Sequence, residues 1–421
     1  MASDSVDASR LYYIKCGKSM GKRELLLILG FAVVGTLVYQ LTARPSAESA
    51  SHFSISAVVN HLRRAVRGNQ ANAEVVTTAD HPVSSATTEV RVAFPAGNAE
   101  SLTITGEDRQ DVSSELKVWS NGFDEAEAQR LAKGTVLKQS EAGGRMTFTL
   151  VFPREARQRA TMVLRVPASM RIGLVRYNGK LVISGTKEVE GTESRGEATV
   201  RDITGKVTLS HRGGELTIAD VGALKLTANG TEVKLSRVRG DSTIQARSGD
   251  IEASEIEGAV DIEGNNTDVT IDRLEGAKAP VHVTATNGTV RIRGARTDTR
   301  VDARNAAVIL EVARPTPIAV YSEGGETIEL TAPRGGYQLD AVSTGGQITA
   351  PGSLPAVKTE GREQHAAGPV NGGGPTITLR STEGEIVLRS GDEAPAAEAP
   401  LPPRPPRPPS APTLERKLVP R

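Results

Sequence analysis

Aromatic residues and cysteine are scarce in this sequence, and neither sign of charge prevails. The 421 residues include six Phe, six Tyr, one Trp and a single cysteine, Cys16. One cysteine cannot form an intrachain disulfide, and it gives no basis for a cysteine-rich zinc site. The formal net charge is +1, from 51 basic and 50 acidic residues. This balance indicates no nucleic acid partner, because phosphate binding requires clustered basic charge.

Charge is absent from one long stretch near the N-terminus, residues 25–41. At about 1.5 Å per helical residue, the segment 25–43 comes close to spanning a ~30 Å hydrocarbon core. Five basic residues precede it, whereas Arg44 is the first basic residue after it. This bias predicts a cytoplasmic leader (1–24), a single transmembrane helix (25–43) in the cytoplasmic membrane, and export of the remainder to the periplasm or the cell exterior. The alternative is a cleaved signal peptide, whose leader and apolar core would both be shorter.

Composition divides the exported part into further regions. The predicted regions are a polar stalk (44–84), a β-rich part (85–172), a repetitive part (173–390) with a Gly- and Pro-rich loop insertion (351–375), and a Pro-rich disordered tail (391–421). Within the β-rich part, apolar and polar residues alternate, as half-buried strands require. One short helix is predicted at Asp124–Lys133.

Glycine recurs at intervals of 18 residues in the repetitive part. The series is Gly222, Gly240, Gly258, Gly276 and Gly294. Apolar positions repeat at the same interval, as at Val233, Ile251 and Val269. Pairs of turn-forming residues recur as well. They are Gly213-Gly214, Asn229-Gly230, Ser248-Gly249, Asn265-Asn266, Asn287-Gly288, Asn305-Ala306, Gly324-Gly325 and Gly345-Gly346. Since Gly and Asn accept positive φ, these pairs predict tight turns.

A unit of 18–20 residues with two short strands and two turns cannot bury its own apolar face. Stacked units can, because each strand then pairs with its counterpart about 4.8 Å away. The sequence therefore predicts an all-β fold in which the single-span N-terminal transmembrane helix is followed by a parallel β-solenoid of about 18–20-residue coils. A narrow core also explains why Tyr177, Tyr321 and Tyr337 are the only aromatic residues of 173–390.

The pattern resembles a known family. The resemblance rests on the run 162–170 (MVLRVPASM), the segment 178–183 (NGKLVI) and repeated units such as 248–253 (SGDIEA). They are similar to bacterial envelope proteins with a putative-adhesin, or toast-rack, β-solenoid domain of unknown function. The resemblance covers about residues 85–390. It implies the fold and an envelope location, and it brings no active-site residues.

Candidate site residues are few. The 18-residue interval aligns Glu232, Asp250 and Asp268 beside the turns, where oxygen ligands from neighbouring coils are of the type that Ca²⁺ binds. These three residues are a candidate calcium site, with exposed turn carboxylates that hold no ion as the alternative. No catalytic residue, cofactor site or other metal site is predicted. His211 and His282 are expected to be solvated edge residues.

A locally basic stretch follows the regular repeats. It contains Arg291, Arg293, Arg296, Arg300 and Arg304. Strand alternation predicts that Arg291 and Arg293 share an outward face. That face is either a solvated strand surface or a site for an anion or a glycan phosphate.

These features predict a non-enzymatic, membrane-anchored envelope protein that presents an exported β-solenoid as a scaffold, adhesin-like or binding surface. Its expected partners are the lipid bilayer, through residues 25–43, and an envelope protein or surface glycan. One alternative is a polysaccharide lyase or hydrolase, which would need paired carboxylates or a metal and usually aromatic platforms. Another is an accessory protein in envelope-stress signalling.

Overall fold

The computed structural model describes residues 71–94, 99–153, 158–274 and 278–391. The predicted membrane helix 25–43 lies outside these residues, as do the leader, most of the stalk and the Pro-rich tail from 392 onward. Contacts divide the chain into Met1–Arg67 and Gly68–Arg421, and every described residue belongs to the second unit. No helix within the described ranges has the length and apolar character needed to cross a membrane.

The described part is nearly all β. Its one helix is α1 (Glu125–Lys133). The strands are β1 (Ala71–Pro82), β2 (Glu89–Ala93), β3 (Ala99–Glu107), β4 (Asp111–Gly122), β5 (Val136–Ala142), β6 (Arg145–Val151), β7 (Gln158–Pro167), β8 (Arg171–Leu174), β9 (Tyr177–Asn178), β10 (Lys180–Ser184), β11 (Glu188–Arg195), β12 (Ala198–Val238), β13 (Ser242–Ile256), β14 (Val260–Asp272), β15 (Val281–Ala295), β16 (Thr299–Val312), β17 (Ile318–Glu323), β18 (Ile328–Thr331), β19 (Tyr337–Thr344), β20 (Ile348–Thr349), β21 (Lys358–Glu360), β22 (Glu363–Val370), β23 (Thr376–Thr382) and β24 (Ile386–Arg389).

The strands stack as parallel rungs that form two walls. Wall A contains the segments 233–238, 251–256, 269–271 and 290–292, and wall B contains 224–229, 242–247, 260–265 and 281–286. Strands β13 to β16 each turn once and contribute first to wall B and then to wall A, whereas the 41-residue β12 passes through both walls more than once. In wall B, Leu224 faces Ser242, which faces Val260, an offset of 18 residues each time. The predicted parallel stacking of 18-residue coils is confirmed here.

The core is a set of apolar ladders between the walls. Val233, Ile251, Val269, Val290 and Val308 face one another in register from rung to rung, and each is at most 1% exposed. Their alternate neighbours face solvent, because successive side chains of a strand point to opposite faces. Burying such a Val or Ile side chain contributes roughly 1.5–3 kcal/mol, so the ladders are the main source of stability.

The turns between the walls have the predicted backbone conformation. Ser248, Asn266, Asn287 and Asn305 have φ values of 59°, 52°, 56° and 50°. At Gly249 a Cβ atom would lie 2.2 Å from the carbonyl oxygen of Thr231 in the preceding rung. That position therefore accepts only glycine.

Antiparallel strands and the helix close the N-terminal end. Wall A is extended by β7, β4 and β1, and wall B by β6 and β5. Helix α1 begins one residue inside the predicted segment, with Asp124 as its N-cap: the carboxylate accepts from the Glu127 amide (2.8 Å) while Glu127 accepts from the Phe123 amide (2.8 Å). Its buried residues Ala128, Leu131 and Ala132 pack against β4 and β1, which covers the end of the core.

The C-terminal rungs do not stack in chain order. The pair β17 and β18 is followed in space by β23 and β24, and only then by β19 and β20. The sequence suggests a loop over 351–375, and the structure has β21 and β22 in this segment. Strand β22 pairs antiparallel with β19, because the outer edge of β19 would otherwise expose unpaired backbone groups.

Candidate binding surface

Outward side chains form columns on each wall, because the rungs are in register. On wall A one column contains Lys234, Glu252, Thr270 and Arg291. The neighbouring column contains Ser236, Ser254 and Asp272. Together with Arg273 and Arg293 they line a groove of about 480 Å³. This groove runs across several rungs, so its geometry is set by the backbone hydrogen bonding of the stack.

Most charges beside the wall A groove are paired. Lys234 Nζ lies 2.9 Å from carboxylate oxygens of both Glu215 and Glu232, and these hydrogen bonds raise the pKa of Lys234. Arg293 pairs with Asp272 at 3.4 Å. By contrast, no hydrogen bond or ion pair joins the Arg291 guanidinium to another described residue. Arg291 is therefore the cation of this groove that is available to an external anionic group.

A column of charged residues borders the same wall. Asp202, Asp220, Arg237, Glu255 and Arg273 all have positive φ, between 53° and 57°. Arg237 forms two hydrogen bonds with the Asp220 carboxylate, of 2.6 and 2.7 Å, and Arg273 pairs with Glu255 at 2.9 Å. The hydrogen bond from Arg237 is the main reason that the pKa of Asp220 is lowered. The sequence analysis did not identify this column of charged residues, although the 17–18-residue spacing of its charges was a usable signal.

Wall B carries a second, smaller groove of about 350 Å³. Tyr321, which is 38% exposed, lies in it with the Arg300 guanidinium 5.0 Å from the ring centroid. Asp302 faces Tyr321 in register and accepts two hydrogen bonds from Arg300, of 2.7 and 2.9 Å. These bonds, followed by one from His282, lower the pKa of Asp302. Arg300 therefore contacts both the Tyr321 ring and the Asp302 carboxylate.

Two of the three candidate calcium residues have other partners. Asp250 and Asp268 are in register on adjacent rungs. Glu232 is paired with Lys234, and Asp268 accepts a 2.8 Å hydrogen bond from the Thr289 amide. Among the described residues, no group of three His, Cys, Asp or Glu side chains is arranged to hold a metal ion. The sequence interval thus brings two of the three carboxylates together without forming a complete ligand set.

The expectation that His211 is a solvated edge residue is wrong. His211 is 1% exposed; its Nε2–H donates to the Gly196 carbonyl (3.1 Å), and Nδ1 lies 2.7 Å from Ser194 Oγ. Burial is the main reason that the pKa of His211 is lowered. Ser194 is also 1% exposed, so no substrate reaches this pair. His282 is on the outer face of wall B, as expected, 3.1 Å from Asp302.

The basic stretch 291–304 is divided between the two walls. Arg291 and Arg293 face outward on wall A and alternate with the buried Val290 and Ile292, as predicted. Arg300 and Arg304 lie on wall B, where they pair with Asp302 and Glu323. These four arginines, two on each wall, therefore do not combine into one basic surface.

Two carboxyl groups of the described residues have a lowered pKa. A carboxylic acid that donates a proton near neutral pH needs a raised pKa. The two carboxyl groups with shifted pKa values, Asp220 and Asp302, are both shifted down by arginine partners. Asp220 and Asp302 therefore remain ionised near neutral pH.

Comparison with known proteins gives a match to one family. The sequence profile described as Toastrack DUF4097 matches residues 83–389. No match is found among curated proteins.

Solved structures also show similarity at low identity. A putative adhesin from Parabacteroides distasonis is 10% identical and aligns over 75% of this chain and 97% of its own, with a TM-score of 0.30. A putative adhesin from Bacteroides fragilis is 11% identical over 75% and 97%, with a TM-score of 0.27. A putative cell adhesion protein from Clostridium sporogenes is 10% identical over 76% and 100%, with a TM-score of 0.18.

Proposed function

Because the chain belongs to the Toastrack DUF4097 family, we propose that it is a non-enzymatic envelope protein that presents its β-solenoid as an adhesin-like binding surface. Residues 25–43 anchor it in the cytoplasmic membrane, with the leader in the cytoplasm and the solenoid exported. This topology rests on the apolar run and the basic leader of the sequence.

The observation that carries the binding role is the wall A groove with Arg291. Its other arginines are compensated by carboxylates, for example Arg293 by Asp272 and Arg273 by Glu255. Hydroxyl groups of Ser254 and Thr270 line the groove beside Arg291. An uncompensated guanidinium next to hydroxyl groups can bind a carboxylate or phosphate with two parallel hydrogen bonds. The partner is accordingly an envelope protein or surface glycan that bears such an anionic group.

The test compares Arg291→Ala with Arg247→Ala. Arg247 is an exposed arginine on wall B, so the two variants lose the same charge from different walls. The readout is the amount of partner that co-purifies after mild crosslinking in membranes. We expect Arg291→Ala to lower this amount at least about fivefold, since a charge-assisted bidentate contact contributes roughly 1.5–3 kcal/mol. Arg247→Ala should leave it unchanged.

Equal losses with the two variants would contradict the assignment to wall A. Turnover of cell-wall or plant polysaccharides by the purified chain, seen as released reducing or unsaturated ends, would contradict the non-enzymatic role. Both assays use the full chain in detergent or membranes.

A further inference from the structure

One rung of the solenoid is placed out of chain order. This closing rung comprises Thr376–Thr382 in wall B and Ile386–Arg389 in wall A, that is, strands β23 and β24. It pairs in parallel with β17 and β18 on one side, and with β19 and β20 on the other. The rung 337–349 therefore precedes the closing rung in the chain but lies beyond it in the stack.

The layer that the closing rung fills is a slot for one rung, bounded by β17 and β18 on one side and by β19 and β20 on the other. Two strand spacings, about 9.6 Å, separate β17 from β19 when the closing rung lies between them. Ile377, Leu379, Ile386 and Leu388 fill the core at this level, and none is more than 3% exposed. Both neighbouring strands lose a full set of backbone hydrogen bonds when the rung is absent, so the slot strongly favours occupancy.

Contacts on both sides make the slot specific for this sequence. Arg380 pairs with the Asp340 carboxylate and donates to the Asp340 carbonyl (2.9 Å), while Arg389 pairs with Glu329 at 2.6 Å. A Cβ atom on Gly384 would lie 2.1 Å from the carbonyl oxygen of Glu326, and one on Gly346 would lie 2.1 Å from that of Gly384. The backbones meet at distances that only glycine permits.

A hinge immediately precedes the closing rung. The segment Asn371-Gly372-Gly373-Gly374-Pro375 has four consecutive residues with positive φ, of 44°, 89°, 80° and 154°. A Cβ atom on Gly372 would have no neighbour within 4 Å. Glycines of this kind readily change their backbone angles, and short hinge loops of this kind are where proteins exchange identical elements.

We propose that the closing rung is exchangeable between two copies of this chain. In the exchanged dimer, rotation about residues 371–375 directs the closing rung of each copy into the slot of the other. The second copy is the occupant because it carries the same ion pairs, the same glycine contacts and the same core residues. Each copy forms every contact of the closed monomer, and the dimer differs from two monomers chiefly at the hinge.

The experiment uses two charge variants of the full chain in detergent, each with a different affinity tag. Asp340→Arg and Arg380→Glu each place like charges in contact within a closed monomer. When the two variants exchange rungs, Asp340 of one copy meets Arg380 of the other, and the introduced arginine meets the introduced glutamate. After unfolding and refolding together, two-step purification should yield at least about fivefold more two-tag complex than a pair of wild-type chains.

The double variant Asp340→Arg/Arg380→Glu is the matched control, because it restores an ion pair within one chain. It should return the two-tag complex to the wild-type level. If both single variants give a native circular dichroism spectrum and their mixture yields no excess of complex, exchange is excluded.

A second pair of variants decides the question if the charge variants do not fold. Deletion of Gly372 and Gly373 shortens the hinge, so that the rung cannot return to its own slot without strain. We expect a concentration-dependent dimer by size-exclusion chromatography with light scattering. Insertion of three residues after Gly373 should keep the chain monomeric. A monomeric deletion variant at all concentrations would overturn the proposal.

Discussion

At the residue scale, the largest departure from the sequence-based expectations is His211. A lone histidine in an alternating strand gives no indication of which face it occupies, and the regular 18-residue spacing begins only at Gly222. The structure aligns His211 with Ser194 in register inside the stack. Nε2–H donates to the Gly196 carbonyl, and Nδ1 lies 2.7 Å from the Ser194 hydroxyl, which also approaches the Ser210 carbonyl. Both ring nitrogens of the neutral imidazole therefore have a polar partner. A second ring proton would add a buried positive charge, which is unfavourable.

This environment predicts a pH-dependent stability. The pKa of His211 is lower in the folded state than in the unfolded chain, so the unfolded chain binds more protons once the pH falls below about 6.5. The stability from neutral His211 is present above that pH and is lost as pH falls, by at most about 1.4 kcal/mol per pH unit. Urea unfolding between pH 7.5 and 5 should show this slope, and His211→Ala should remove it.

The comparison of the native chain with His211→Ala isolates the contribution of this ring, because the two chains share every other titrating group. A slope that persists in His211→Ala would assign the pH dependence to other groups.

At the element scale, the coil and its turns were predictable because both depend on local signals. Glycine spacing, alternation and Asn-Gly pairs each act within one 18-residue unit, and the structure has the corresponding strands and positive φ values. The order of the last rungs was not predictable, because β19 and β23 have similar alternating patterns and the choice of partner is non-local. The charged column beside wall A was missed because Glu and Arg, unlike Asp, are uncommon at positive φ.

Two glycines are required for different reasons: Gly258 because a side chain would clash with a neighbouring rung, and Gly230 because its backbone has positive φ. At Gly258 a Cβ atom would lie 2.3 Å from the backbone of Gly240, whereas at Gly230, with φ of 61°, it would have no neighbour within 4 Å. We expect Gly258→Ala to lower the free energy of unfolding by about 2–3 kcal/mol through overpacking. Gly230→Ala should cost only about 1 kcal/mol, from the left-handed conformation. Urea unfolding measures both, and an equal or reversed order would contradict the packing argument.

At the scale of the whole molecule, both ends of the stack carry elements that are not part of the repeat. Helix α1 and antiparallel strands close the N-terminal end, and β21 and β22 cover wall B at the other end. Stacks of repeats require such caps, since an open edge would pair with another chain. The sequence indicated the body of this stack but not its caps, because a cap is defined by what it covers and not by a repeated pattern.

The single cysteine provides a test of the proposed membrane topology. Cys16 lies in the leader, and the rest of the chain contains no thiol. In intact spheroplasts, a membrane-impermeant maleimide should label Cys16 only after the membrane is permeabilised, because the basic leader stays in the cytoplasm. A Cys16→Ser/Ser248→Cys chain, with its thiol in a turn of the solenoid, should be labelled without permeabilisation. Labelling of Cys16 in intact spheroplasts would exclude the proposed orientation.

The closing rung also has a consequence for biosynthesis. A nascent chain that ends at residue 375 contains β17 and β19 but lacks β23, the strand that pairs with both, so one edge of each strand has no partner. Backbone groups at such edges pair readily with other chains. The hazard lasts until residue 391 has emerged, and it rises with the number of neighbouring nascent chains at the same stage. Ribosomes translating one message therefore hold slots and closing rungs of separate copies close together.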